Sequence, residues 1–114
     1  MKQVFFSTMI VVLISMGFMA CTKSSSYNSS NPTTATVNIK DMQFSPTSVT
    51  IAAGGTVTWT NNDSMTHTVT STGSAFNSGN LATGKTYSFT FSTKGTYPYT
   101  CTIHPSMTGT VIVN

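Results

Sequence analysis

The sequence lacks arginine and glutamate altogether, and only 6% of its 114 residues are charged. The ionic side chains are five lysines and two aspartates, and the lysines are scattered singly along the chain. Proteins that bind nucleic acid gather basic residues on one face. This composition therefore excludes a nucleic-acid partner and predicts one small domain whose surface is polar but largely uncharged.

Cysteine is also scarce, with one residue at position 21 and one at position 101. An even count in an exported protein ordinarily suggests a disulfide. Here Cys21 ends an apolar N-terminal segment while Cys101 lies near the C-terminus, so a Cys21–Cys101 bridge is the minor alternative. Structural zinc sites usually take four strong ligands, with more cysteine than this chain offers.

The one long apolar run lies at the N-terminus. Residues 1–20 combine Lys2 with an apolar stretch from Val4 to Met19, as in an export signal. A helix of those 16 residues would span about 24 Å, short of the roughly 30 Å hydrocarbon core of a membrane, so a permanent transmembrane anchor is the weaker interpretation.

The tetrapeptide Phe18-Met19-Ala20-Cys21 resembles a bacterial lipoprotein cleavage site, which implies lipid on Cys21 and anchoring in a membrane. Residues 21–34 are rich in serine, threonine and asparagine, a composition that does not fold by itself and predicts a tether. We expect a periplasmic or cell-envelope location, with the folded domain in residues 35–114.

From residue 35 onward, apolar and polar residues alternate with period two, which is typical of half-buried strands. Turn residues separate these runs, and no helical pattern competes with them. The sequence therefore predicts an all-β fold, an antiparallel Greek-key sandwich of seven to eight strands. Pro98 interrupts one strand and is predicted to lie at an edge or bulge, because it cannot donate to a ladder.

The heptapeptide from Cys101 to Met107 places a thiolate, an imidazole (His104) and a thioether within seven residues. With His67, the only other histidine of the chain, these are the ligand types of a copper site with two histidines, one cysteine and an axial methionine.

Each of these residues also has an ordinary interpretation. His67 could be a strand-end histidine, while Cys101 and Met107 could fill the core. A Cys-His hydrolase is disfavoured because Cys101 and His104 are too close in sequence to form the usual nucleophile and base, and no residue of the heptapeptide would orient the imidazole.

Three stretches together resemble the cupredoxins, the blue (type 1) copper proteins, and most closely their amicyanin and plastocyanin branch. They are the loop Cys101-Thr102-Ile103-His104-Pro105-Ser106-Met107, the segment Gly55-Thr56-Val57-Thr58-Trp59-Thr60-Asn61 followed by Met65-Thr66-His67, and Phe44-Ser45-Pro46 before Val49. The resemblance implies one copper ion, Cu(I) or Cu(II), with His67, Cys101 and His104 as strong ligands and Met107 as the weak axial one.

The same resemblance implies a one-electron carrier outside the cytoplasm, not an enzyme, which passes electrons through the exposed edge of His104. A redox protein would dock there, against Pro105 and Met65, and we expect the chain to be a monomer. Two alternatives stay open: a module that delivers copper without transferring electrons, and a metal-free adhesive sandwich.

Two departures from the family pattern lead to further predictions. Ile103 stands where amicyanin and plastocyanin have proline, so its N–H could donate to the Cys101 sulfur, and Ile103→Pro would then lower the reduction potential. Thr68 stands where the family commonly has asparagine, which puts a side-chain connection across the site in question.

Overall fold

The computed structural model describes residues 30–114, and eight strands without a helix make up this part of the chain. The predicted signal peptide, Cys21 and most of the predicted tether lie outside the described residues. Within residues 30–114, no helix is long and apolar enough to cross a membrane. The strands are β1 (Thr34–Lys40), β2 (Gln43–Ser45), β3 (Ser48–Ile51), β4 (Gly55–Asn61), β5 (Thr70–Ser71), β6 (Thr86–Phe91), β7 (Gly95–Thr100) and β8 (Thr108–Val113).

The strands form two four-stranded sheets, ordered β2-β1-β4-β6 and β3-β8-β7-β5. This confirms the all-β sandwich and its number of strands. The sheets are mixed, however, where antiparallel pairing was predicted: β1 runs parallel to β4, and β3 runs parallel to β8. Alternation of side chains fixes which face of a strand is buried but carries no information on the direction of its neighbour.

Aromatic side chains join the two sheets beneath the candidate ligands. Trp59 of β4 and Tyr99 of β7 are almost fully buried, and their rings meet edge to face with centroids 5.5 Å apart. Phe76 packs on the same indole at 5.5 Å. Such contacts add to the stabilisation from buried area, so the core fixes the ends of β4 and β7 relative to each other. The chain reaches His67 after β4 and Cys101 directly after β7.

Pro98 lies at a position of β7 where no backbone N–H is needed to pair with a neighbouring strand. It stands opposite Thr110 of β8 on one side, and on the other side β5 ends at Ser71. The carbonyl of Pro98 accepts the backbone N–H of Thr72 at 3.0 Å. Because the N and the C=O of one residue point the same way in an antiparallel ladder, the proline nitrogen faces Thr72, just beyond the end of β5. β7 lies between β8 and β5 in its sheet, so the predicted edge position does not hold for the whole strand but only at Pro98, where β5 has already ended.

Candidate metal centre

A buried asparagine holds the segment that carries His67. Asn61, the last residue of β4, is fully buried, and its Nδ2 donates to the carbonyl oxygens of Met65 and Leu81, both at 2.8 Å. Its Oδ1 accepts the N–H of Asp63 at 3.0 Å. The backbone of His67 pairs with Leu81 in both directions, at 3.1 and 2.8 Å. These bonds satisfy the polar groups of a buried loop and fix the backbone of His67.

The segment from Cys101 to Met107 is a short closed loop between the paired strands β7 and β8. The backbone N–H of Cys101 donates to the carbonyl of Met107 at 3.1 Å, and the N–H of Met107 donates to the carbonyl of His104 at 2.9 Å. Thr100 Oγ1 donates to the Met107 carbonyl at 3.0 Å. The loop is therefore anchored at both ends and turns His104 back over Cys101.

These two segments bring the predicted ligand atoms of His67, Cys101 and His104 within 4.8 Å of one another. The Cys101 sulfur lies 3.8 Å from Nδ1 of each histidine, and the two Nδ1 atoms are 3.2 Å apart. His67 and Cys101 are fully buried, and His104 is partly exposed. The fourth predicted residue, Met107, is 3% exposed at the far end of the same loop.

The spacing of the three donors suits a single metal ion. An ion bonded to two nitrogens at about 2.0 Å and to a sulfur at about 2.3 Å, in a trigonal arrangement, would hold the donors about 3.5–3.7 Å apart. The observed separations of 3.2–3.8 Å bracket that range. A set of two histidines and one cysteine, with a thioether close by, is typical of copper rather than of structural zinc, so the residues present fit copper.

The surroundings of Cys101 favour the thiolate form of its side chain. Burial by itself raises its pKa, but hydrogen bonding from the backbone of Thr68 and His104, together with the His67 and His104 rings beside the sulfur, lowers the pKa to about 6. The Thr68 N–H donates to the sulfur at 3.3 Å. Because the thiolate is the metal-binding form, this surrounding favours a metal ligand over an inert core cysteine.

Asp63 contacts a candidate ligand, and it is not among the residues that the sequence singled out. Its Oδ2 lies 2.9 Å from Nε2 of His67, on the side of the ring opposite to Nδ1. The pKa of Asp63 is lowered, mainly by the N–H of Met42, which donates to the same oxygen at 3.0 Å, and then by His67. Asp63 stands in the run Asn61-Asn62-Asp63, whose residue types are typical of a turn, and its carboxylate four residues before a histidine is the signal in the sequence that could have identified it.

Thr68 provides the side-chain connection that its departure from the family pattern had put in question. Its Oγ1 accepts the backbone N–H of Thr102 at 2.8 Å and lies 2.9 Å from the Thr102 hydroxyl. By contrast, the backbone amides that lower the pKa of Cys101 belong to Thr68 and His104, not to Ile103. The structure therefore does not support the predicted hydrogen bond from Ile103.

Large apolar side chains are exposed in the segments that carry the candidate ligands. Within residues 30–114, the large hydrophobic side chains that are most exposed are Met42, Met65 and Ile103, at 38%, 46% and 46%. Met65 precedes His67 by two residues, and Ile103 is adjacent to His104. Met65 and Ile103 therefore each lie close in sequence to a histidine of the candidate centre.

Comparison with known proteins agrees with this geometry. The sequence matches the family described as "Cupredoxin-like domain" over residues 9–113. It is 40% identical over 87 residues to amicyanin-alpha of Methylorubrum extorquens, covering 68% of this chain and 69% of that protein. Amicyanin of Paracoccus versutus is 39% identical over 82 residues, covering 68% of this chain but only 62% of that protein, less than two thirds of its length.

A solved structure agrees as well. The reduced Cu(I) form at pH 4 of an amicyanin variant superimposes with a TM-score of 0.67 at 35% identity, and the match covers 71% of this chain and 82% of that one.

Proposed function

The chain belongs to the family of cupredoxin-like domains, and on that basis we propose that it is a mononuclear type 1 copper protein that carries single electrons between redox partners. The observation that carries the proposal is the trio of His67 Nδ1, Cys101 Sγ and His104 Nδ1, whose mutual distances of 3.2–3.8 Å suit one ion. Met107, buried on the same loop, is the proposed axial ligand.

Copper bound by these residues would supply the one-electron Cu(I)/Cu(II) couple. The protein's own contribution is to hold the donors still. The Asp63 carboxylate fixes the orientation of the His67 ring, and the Thr68 N–H stabilises negative charge on the Cys101 sulfur. Because two hydrogen-bonded loops on a sandwich carry the donors, little of the protein needs to rearrange when the charge of the site changes.

Electrons would leave and enter through His104, the partly exposed member of the trio. The exposed side chains of Met65, Ile103 and Pro105 surround this edge and form the proposed docking surface for a redox protein. The surface is apolar and carries little charge, and it suits the small, short-lived contacts that are usual for electron-transfer encounters.

The proposed location is outside the cytoplasm. The export signal in residues 1–20 and the lipoprotein-like Cys21 support this proposal, and the tether would let the domain reach its partners from a membrane. Growth of cells with labelled palmitate tests it: label is expected on the wild-type chain and not on Cys21→Ala. An unlabelled wild-type chain would contradict the anchor without affecting the copper assignment.

The copper assignment is tested by adding Cu(II) to the metal-free full-length chain. We expect an intense visible thiolate-to-copper absorption at one ion per chain, lost on reduction and regained on oxidation. Cys101→Ser should abolish the band. A colourless protein, or a colour that survives this substitution, would refute the proposal. A band that cannot be cycled reversibly would favour copper delivery over electron transfer.

A further inference from the structure

Methionine is concentrated at one end of the described domain. Residues 30–114 contain three methionines: Met107 lies on the loop of Cys101, Met65 precedes His67 by two residues, and the N–H of Met42 donates to Asp63, the neighbour of His67. Methionine ordinarily fills gaps in a core. Only Met107 does so here, whereas Met42 and Met65 are 38% and 46% exposed. Two exposed thioethers therefore flank a site built for a soft metal ion.

One of these thioethers shares a pocket with the proposed axial ligand. A pocket of about 110 Å³ opens at the surface and is lined by both Met42, which is exposed, and Met107, which is buried. No charged side chain lines it; the remaining lining residues are Gln43, Phe44, Thr47, Ser106 and Thr108. Most of the exposed lining is polar, and the thioethers of Met42 and Met107 are the soft donors among the lining side chains, of the kind that binds Cu(I).

The position of Met42 relative to the metal centre is fixed by a side chain of that centre. The N–H of Met42 donates to Oδ2 of Asp63 at 3.0 Å, and the same oxygen lies 2.9 Å from His67 Nε2. Met42 also adopts a φ of 61°, as Asp41 adopts 51°, in the left-handed region that glycine and asparagine usually occupy in such a turn. Holding a large apolar residue exposed in this backbone conformation costs free energy, and such strain is concentrated at functional sites.

A metal ion needs such a route because the centre is closed. His67 and Cys101 have no exposed surface, so an ion can reach them only past neighbouring side chains, of which His104 is partly exposed and Met107 is buried. The pocket lies on the Met107 side. We infer that Met42 and this pocket form the uptake route for Cu(I): the exposed thioether captures the ion and passes it to Met107 and then to the buried donors. Copper stays Cu(I) throughout, and Cys101 binds it as the thiolate.

This inference rests on the proposed copper function and is tested on metal-free full-length protein under nitrogen. Cu(I), added as its acetonitrile complex, is followed by its ultraviolet thiolate absorption in a stopped-flow instrument. Met42→Leu keeps the size and apolar character of the side chain but removes the sulfur. We expect it to slow Cu(I) uptake about tenfold, equivalent to about 1.4 kcal/mol of barrier. The final stoichiometry and the visible band after oxidation should be unchanged.

Met65→Leu is the matched control, because it removes the other exposed thioether on the His104 side, and it should leave the rate of Cu(I) uptake unchanged. Uptake of Cu(II), which depends less on thioethers, should be equally fast in Met42→Leu and in the wild type. Unchanged Cu(I) uptake in Met42→Leu, a larger loss in Met65→Leu, or an equal loss for both oxidation states would overturn the inference. A wild-type chain that binds no copper would instead refute the proposed function.

Discussion

The carboxylate of Asp63 lies 2.9 Å from Nε2 of His67, while Nδ1 on the other side of the ring faces the Cys101 sulfur. Oδ2 of Asp63 also accepts the N–H of Met42 at 3.0 Å, so one oxygen joins the β1–β2 turn to a proposed ligand. A carboxylate at Nε2 keeps the proton on that nitrogen and leaves Nδ1 free to bind a metal.

Asp63→Ala should therefore weaken copper binding by about 10–100-fold, the usual effect of removing a group that orients a metal-binding histidine. Competition with a chelator of known affinity measures the change. Ser64→Ala, at the exposed neighbouring position, is the control and should bind copper as the wild type does. Equal affinities for all three proteins would show that Asp63 does not orient the ligand.

Thr68 connects the His67 segment to the Cys101 loop by two different groups. Its backbone N–H donates to the sulfur, and its Oγ1 accepts the N–H of Thr102. Thr68→Val keeps the shape and the backbone donor but leaves the Thr102 N–H without its partner. We expect a loss of about 1–2 kcal/mol in the free energy of unfolding of the metal-free protein, measured with urea.

Thr68→Ser keeps the hydroxyl and serves as the control for Thr68→Val. It should retain most of that stability and should lose copper to a chelator more slowly than the valine variant. If the serine and valine variants were equally stable, the hydroxyl of Thr68 would not account for the stability.

The proposed docking surface can be tested without knowing the partner, through electron exchange between two copies of the copper-loaded protein. Ile103→Lys places a charge at the apolar surface beside His104, where two copies would meet. The self-exchange rate, measured by NMR line broadening, should fall and should become more dependent on salt. Ser92→Lys adds the same charge next to β6, away from the centre, and should have little effect; equal losses in both variants would argue against this surface.

The sequence predicted the strands and the ligands of the Cys101 loop because both leave local signals, whereas His67 was identified as the only other histidine of the chain and by the resemblance to the family. Alternation of period two marks the strands, and the spacing of Cys101, His104 and Met107 lies within a single loop. The parallel pairing of β1 with β4 left no such signal, because it depends on how distant segments pack.

The groups that surround the trio could not be predicted from the sequence either. Asp63 resembled an ordinary turn residue, and the backbone amide of the loop that acts on the Cys101 thiol could not be assigned from residue types. The sequence predicted a hydrogen bond from the N–H of Ile103, whereas it is hydrogen bonding from the backbone of His104 that lowers the pKa of the thiol. Only the path of the backbone through the loop decides between two neighbouring N–H groups.

Gly109 makes room for the ring of Tyr99, its partner across β7 and β8. A Cβ built at Gly109 would lie 2.4 Å from Cζ and from the hydroxyl oxygen of Tyr99. Gly109→Ala should therefore force the buried ring to move, at a cost of about 1–3 kcal/mol in the free energy of unfolding. Gly73→Ala is the control, since the nearest atom there is 4.0 Å away, and its effect should be small. Equal free energies of unfolding for Gly109→Ala and Gly73→Ala would mean that the Tyr99 ring can shift without destabilising the core.

Tyr99 also predicts how stability changes at alkaline pH. Burial raises the pKa of its hydroxyl from 10.0 to about 12, a rise that the nearby Trp59 indole offsets only in part. Because the folded state holds the proton more tightly, the stabilisation is fully present below pH 10. It is lost as pH rises from 10 to 12, where the unfolded chain ionises first, by up to about 2–3 kcal/mol.

Urea unfolding of the metal-free protein between pH 9 and pH 12 measures this loss. Other groups titrate in the same range, so the informative quantity is the difference between the wild type and Tyr99→Phe. Tyr99→Phe lacks the ionisable hydroxyl, which is buried without a hydrogen-bond partner in the wild type. The free energy of unfolding of this variant should therefore fall less steeply as pH rises. Parallel curves for the two proteins would show that the pKa of the Tyr99 hydroxyl is the same in the folded state and in the unfolded chain. Burial would then not raise this pKa, contrary to the prediction.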